Sequence, residues 1–214
     1  MEEDKQVKVK SEITKFDGFS NLNEMKSFAG ELIKSRLIPF KTPEEAVAVA
    51  LLGRDLGIGF STAMNNIYNI NGKPSMSVHL AAGLAKKLGV DWEIVRDGEA
   101  LKDDSGKVVD MITEIRFYRF NTHLQRTITN MMTYKWSDAV KAGYTTKDNW
   151  KTKTRNMLRS RCLMEGIRFV APEALVSIPY ETTELLDSTT THNYDTNEEG
   201  EVVSITDAKG NKIK

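Results

Sequence analysis

The sequence predicts an α+β fold in which helices pack on a small antiparallel β-meander, with a β-hairpin and a long basic helix. Three observations predict it. Leu22, Met25, Phe28, Ala29, Leu32 and Ile33 recur at three- and four-residue steps, the stripe of a helix packed on one side. The pair Asn71-Gly72 separates two short strand-like runs, as in a hairpin turning through a type I′ turn. The stretch from Val108 to Phe120 alternates with period two. Helices, hairpin, helix, meander and helix follow in that order, and no internal repeat is present.

Residues 1–15 are polar and poor in aromatics, and a disordered N-terminus is expected there. The first helical stripe stops at Pro39. A second helix has an explicit start: Thr42 as cap, Pro43 at the first helical position and Glu45 three residues after the cap. It runs through AVAVALLGRDLG to a cap at Gly57. Ser61 starts a short helix through Asn65. The hairpin arms are Ile67 to Ile70 and Lys73 to Ser77. Pro74 lacks an N–H, so its arm is expected to be short or at an edge. Ser77 then caps a helix from Val78 to Leu88, closed by Gly89.

Three strands are expected at Trp92–Arg96, Val108–Phe120 and His123–Tyr134, with residues 97–107 as a turn or loop. In the second, Met111, Thr113, Ile115 and Phe117 share the face expected to be buried, opposite Glu114 and Arg116. In the third, Leu124, Ile128, Met132 and Tyr134 share a face with Arg126. The last element is one helix from about Lys147 to Val170, stopped by Pro172. Residues 16–180 thus form the folded domain, and residues 181–214 an acidic, disordered tail.

The chain has 214 residues, 40% of them hydrophobic, which is enough for one domain with a core. Its single cysteine excludes a disulfide framework and a cysteine zinc site. No apolar run approaches the roughly 20 residues of a membrane helix. The charged start MEEDKQVKVK does not read as a signal peptide, so the expectation is a protein of a reducing intracellular compartment. Thirty basic residues balance thirty acidic ones, but they are segregated. Lys141 to Arg168 carries eight cations against Asp148 and Glu165, a net +6. Glu173 to Lys214 carries nine acids and three lysines, a net −6. That asymmetry suggests a polyanion site followed by an acidic tail, or else a solvated helix face followed by a disordered end.

On a helical wheel Lys147, Lys151, Arg155 and Arg159 step by four and share one arc. Like charges at that spacing repel by a few tenths of a kcal/mol per pair, about 0.2–0.5. Such a row suits phosphates, whose contacts release condensed counterions. Trp136, Tyr144 and Trp150 are interleaved with it. Rings beside cations suit stacked bases, although Trp136 and Trp150 fit a core position better. Nothing points to catalysis. GRDLGIG follows a helix rather than a strand, and GKPS lacks the upstream glycine of a phosphate loop. His79, His123 and His192 have no ligand partner at metal spacing. No nucleophile elbow is present, and Cys162 reads as structural. No metal or cofactor is expected.

Two stretches carry more specific information. FKTPEEAVAVALLGRDLGIGFSTAMNNIYNINGKPSMS runs from Phe40 to Ser77, and WSDAVKAGYTTKDNWKTKTRNMLRSRCLMEGIRFVAPEAL from Trp136 to Leu175. In content, order and spacing they resemble the RecT family of phage recombinases, the single-strand annealing proteins related to the lambda Red beta protein. The resemblance covers about Leu22 to Leu175. It implies a distantly Rad52-like fold. It also implies a non-enzymatic, ATP-independent activity: binding single-stranded DNA, pairing complementary strands and holding the duplex in a ring or helical filament. The implied partners are single-stranded and annealed DNA, other copies of the chain, a 5′–3′ exonuclease and a host single-strand binding protein, in a bacterial cytoplasm.

Carried onto this chain, the resemblance implies a groove lined by Lys147, Lys151, Lys153, Arg155, Arg159 and Arg161. Tyr68, Asn71 and Lys73 of the hairpin would face it, with Lys135 and Arg126 at lesser weight. Arg161 lies at the edge of the apolar arc and could instead make a structural ion pair. Where the family pattern has a proline after the Trp-Lys-Lys segment, this chain has Thr154, which implies a straighter helix. The short acidic end does not resemble a folded partner-binding domain. It could instead compete with DNA for the groove, so removing residues 181–214 is expected to tighten binding at low salt.

Overall fold

The structure is a computed structural model that describes residues 19, 21–188, 193–196 and 202–206. The expected disordered stretch 1–15 lies outside the described residues. The class is α+β, and the chain divides into two compact units, Met1–Asn65 and Asn66–Lys214.

The first unit holds α1 (Leu22–Lys34), α2 (Pro43–Asp55) and most of α3 (Phe60–Asn66). The Asn21 side chain caps α1 by accepting from the Glu24 N–H at 2.9 Å. Thr42 caps α2 as expected, accepting from the Glu45 N–H at 3.2 Å. The return arm is shifted by one residue, because the Glu45 carboxylate accepts from the Lys41 N–H at 3.1 Å rather than from Thr42. The α1 stripe buries Met25 and Ala29, while Leu22 and Phe28 remain exposed. The Phe19, Phe28 and Phe60 rings cluster with centroids 5.3–5.8 Å apart.

The second unit begins with β1 (Ile67–Ile70) and β2 (Lys73–Met76). Asn71 and Gly72 have φ of 52° and 78°, the pair of positive values that a type I′ turn requires. β2 turns out to be the middle strand of its sheet, between β1 and the two-residue β6 (Tyr180–Glu181). Pro74 is tolerated because β6 pairs only with Ser75 and Met76, beyond it. Ser77 caps α4 (Val78–Lys87) through the Leu80 N–H at 3.1 Å.

The meander consists of β3 (Val90–Lys102), β4 (Val108–Asn121) and β5 (Arg126–Lys135), antiparallel and in that order. Residues 97–102, read from sequence as loop, continue β3. Three register irregularities let this polar stretch stay paired to β4. The turn is confined to the segment around Asp103, whose carboxylate accepts from the N–H groups of Ser105 and Lys107 at 3.0 Å. Thr113, Ile115 and Phe117 are buried as the alternation predicts, whereas Met111 of that face is only half-buried and Ile112 of the other face is buried. Leu124 does not join a buried face, because it sits in the β4–β5 turn and is exposed.

After β5 come α5 (Trp136–Lys141) and a 3₁₀ turn at Tyr144–Thr146. The expected long helix is two helices, α6 (Asp148–Thr152) and α7 (Thr154–Val170). The break is at Lys153, with φ −131° and ψ 38°. The Thr154 hydroxyl donates to the Trp150 carbonyl at 2.7 Å, the acceptor that the Thr154 N–H would use in a continuous helix. Thr154 therefore breaks the helix without proline, contrary to the straighter helix expected.

α7 packs on the sheet, and Met157, Leu158, Cys162 and Ile167 are among its buried residues. The Cys162 thiol donates to the Met132 carbonyl at 3.3 Å, and burial pushes its pKa up to about 12. A further correction concerns residues 181–188, read from sequence as the start of the tail. They complete β6 and form α8 (Thr182–Ser188), with Glu181, Leu185 and Asp187 buried. β7 (Asn193–Thr196) and β8 (Val202–Thr206) pair antiparallel beyond it. Among the described residues, no single helix is long and apolar enough to cross a membrane.

Candidate nucleic-acid interface

The basic segment does not stand as a bare row of cations. The break at Lys153 puts Lys147 and Lys151 on one helix or its edge and Arg155, Arg159 and Arg161 on the next. Most of these cations meet acids from distant parts of the chain. Arg155 and Arg159 converge on Asp97 of β3. The Arg155 Nε donates to Oδ2 at 2.8 Å and the Arg159 Nε to Oδ1 at 3.0 Å, and each Nη2 adds a bond to Oδ2. Those donors hold the Asp97 carboxyl below the usual carboxylate range, Arg159 first. Their mutual repulsion is offset within the fold, so repulsion alone no longer argues for a polyanion on Arg155 and Arg159.

Arg161 is 5% exposed, and it makes the structural ion pair that its place on the helix allowed. Its Nη2 donates to Asp187 of α8, its Nη1 lies 3.4 Å from Glu184, and its guanidinium sits 4.8 Å from the Tyr144 ring centroid. Trp150 is fully buried, and its indole N–H donates to the same Asp187 carboxylate at 2.9 Å. The Lys147 ammonium donates to the Leu186 carbonyl and lies 3.9 Å from Asp187. Burial is the main reason that its pKa is lowered. Deleting residues 181–214 would remove these acids together, so loss of stability, not simply tighter binding, is expected from it.

A cleft of about 500 Å³ opens beside this cluster. Lys73 of the hairpin, Arg161 and Arg168 of α7, and the rings of Tyr134, Tyr144 and Tyr180 line it, together with Glu165 and Glu184. The Lys73 ammonium lies 5.6 Å from the Tyr180 ring centroid. Burial pushes the Tyr134 phenol up to about 12, so it is a neutral hydrogen-bonding group at physiological pH. Cations and rings on one concave surface can hold phosphates and stack on bases.

The predicted residues thus separate. Lys73 and Arg161 line the cleft, whereas Lys147, Lys151, Lys153, Arg155, Arg159, Tyr68 and Asn71 do not. Lys151 and Lys153 are exposed, and among the described residues Lys153 has no ion-pair partner. Asn71 is exposed at the hairpin tip, and Tyr68 is half-buried in β1, opposite Ser75. Lys135 is half-buried where β5 passes into α5, and Arg126 is exposed at the far end of β5. Neither lines the cleft.

Asp97, Glu184 and Asp187 escaped the sequence reading, since acids in polar stretches resemble solvated loop and tail. Arg168 was counted in the basic segment but falls off the four-residue arc. Tyr134 and Tyr180 carried no signal beyond ring chemistry. Among the described residues, no group of three or more His, Cys, Asp or Glu side chains could hold a metal ion. No family model matches the chain, and neither a curated protein nor a solved structure matches it.

Proposed function

We propose that the protein is an ATP-independent single-strand DNA annealing protein of homologous recombination, a RecT-like recombinase of phage type with a distantly Rad52-like core. The observation that supports the reading is the cleft lined together by hairpin Lys73, by Arg161 and Arg168, and by three tyrosines. The two sequence blocks that resemble the family supply the hairpin and the helix of that cleft. Backbone-directed cations position a strand without reading its sequence, which leaves base edges free to test a partner. The activity needs no bond-making step, no cofactor and no catalytic residue. In this reading copies of the chain assemble on the paired strands in a bacterial host cytoplasm. An exonuclease supplies the single strand, and a host single-strand binding protein is a further partner.

The test is pairing of two complementary fluorescent oligonucleotides with and without protein, in the absence of nucleotide. Accelerated pairing, with the duplex remaining protein-bound on dilution, is the expected result. Binding of each strand without acceleration would replace this reading with a single-stranded DNA- or RNA-coating protein.

A further inference from the structure

Three cations of the basic segment, two of which line the cleft, are already engaged by one short helix. Glu184 accepts from Arg168 at 2.8 Å and pairs with Arg161, and Asp187 takes Arg161, Trp150 and the charge of Lys147. The two carboxylates lie three residues apart on α8 and both meet the Arg161 guanidinium. Resting on the annealing reading, we propose that α8 is an acidic latch: a single strand engages Arg161, Arg168 and Lys147 only as α8 releases from α7.

Two features separate a latch from a permanent strut. The buried network is half-satisfied, since Arg161 Nε and Asp187 Oδ1 are both buried without a hydrogen-bond partner. Buried pairs with unmet donors and acceptors add little to stability, because desolvation offsets their attraction. The backbone tether is also slight. β6 contributes two residue pairs to β2, Ser75 with Tyr180 and Met76 with Glu181. Buried Leu185 and the Trp150–Asp187 bond make docking specific, so the latch is closed when no polyanion is present. A phosphate chain offers the cations new partners, and solvent offers Glu184 and Asp187 the hydration that burial denied them.

Hydrogen exchange of the full chain, with and without a single-stranded oligonucleotide, reads the latch directly. The α8 amides should lose protection on binding. In parallel, E184Q removes one latch charge; it should bind the oligonucleotide about threefold or more tightly than wild type at low salt, the scale of one partly exposed ion pair. Unchanged or raised α8 protection on binding overturns the latch, as does an E184Q affinity no tighter than wild type, and the annealing reading then stands on its own assay. Failure of both wild type and E184Q to bind overturns the latch and the annealing reading together. The exchange measurement uses the unaltered protein, so a fold defect in E184Q cannot mask the answer.

Discussion

Arg159 holds Asp97 through both carboxylate oxygens, reaching from the first turns of α7 to an irregular stretch of β3. Arg155 adds its own pair of bonds, so one carboxylate ties the helix to the strand. Gly98, at φ 68°, follows Asp97 and brings the strand against the Arg155 side chain. Asp97 is therefore a helix–sheet clasp. D97N should lower stability by about 1–2 kcal/mol, read from the urea midpoint, after discounting for the solvent around exposed Arg155. An unchanged midpoint would mean that the clasp adds nothing to the fold.

The same residue sets an acid limb. Its carboxyl pKa is depressed in the folded chain, so its contribution is complete above the ordinary carboxylate pKa of about 4. That contribution is lost as pH falls through the depressed value. The stability of wild type should therefore drop from about pH 4 downward, and the D97N difference from wild type should shrink over the same range. A D97N deficit that persists to the lowest pH would refute this assignment.

Gly166 lets α7 lie directly against the sheet. A Cβ there would stand 2.1 Å from two ring carbons of Phe117, itself fully buried. G166A should cost at least about 1–3 kcal/mol through overpacking, more than the helix propensity that alanine adds. Thermal unfolding checks it, and a melting temperature at or above wild type would contradict the packing argument.

Cys162 should be inert. With its thiol pushed up to about 12 by burial, almost none is thiolate at pH 8. A thiol reagent at that pH should label the native chain only at the rate of unfolding, and immediately in denaturant. Rapid stoichiometric labelling of native protein would show an accessible thiolate.

Exposed Lys151 and Lys153 offer the test of phosphate contact least entangled with folding. If each meets one phosphate of a single strand, replacing both with alanine should reduce the salt slope of binding by about 1.4. An unchanged slope would place the phosphates elsewhere.

Local chemistry was legible where one residue type has one use. Thr42-Pro43 starts a helix, Asn71-Gly72 turns a hairpin, Ser77 caps α4, and the alternation of Thr113, Ile115 and Phe117 marks a buried face. What stayed hidden depends on partners far away in sequence. Residues 97–102 look like loop because their polar side chains are tolerated only on a strand with register irregularities. The helix break at Lys153 comes from a Thr154 hydroxyl taking a backbone acceptor, which no periodicity reports. Arg161 hinted at a structural pair through its edge position, but nothing local named Asp187, 26 residues on.

That separation has a consequence for synthesis. Arg161 leaves the ribosome before the acid that neutralises it, and at about 5–20 residues per second the interval is roughly one to five seconds. Through that interval α7 can settle on a finished meander, yet its buried guanidinium has no counter-ion and the Trp150 indole no acceptor. The nascent chain holds an unpaid charge until α8 brings the carboxylate that neutralises it.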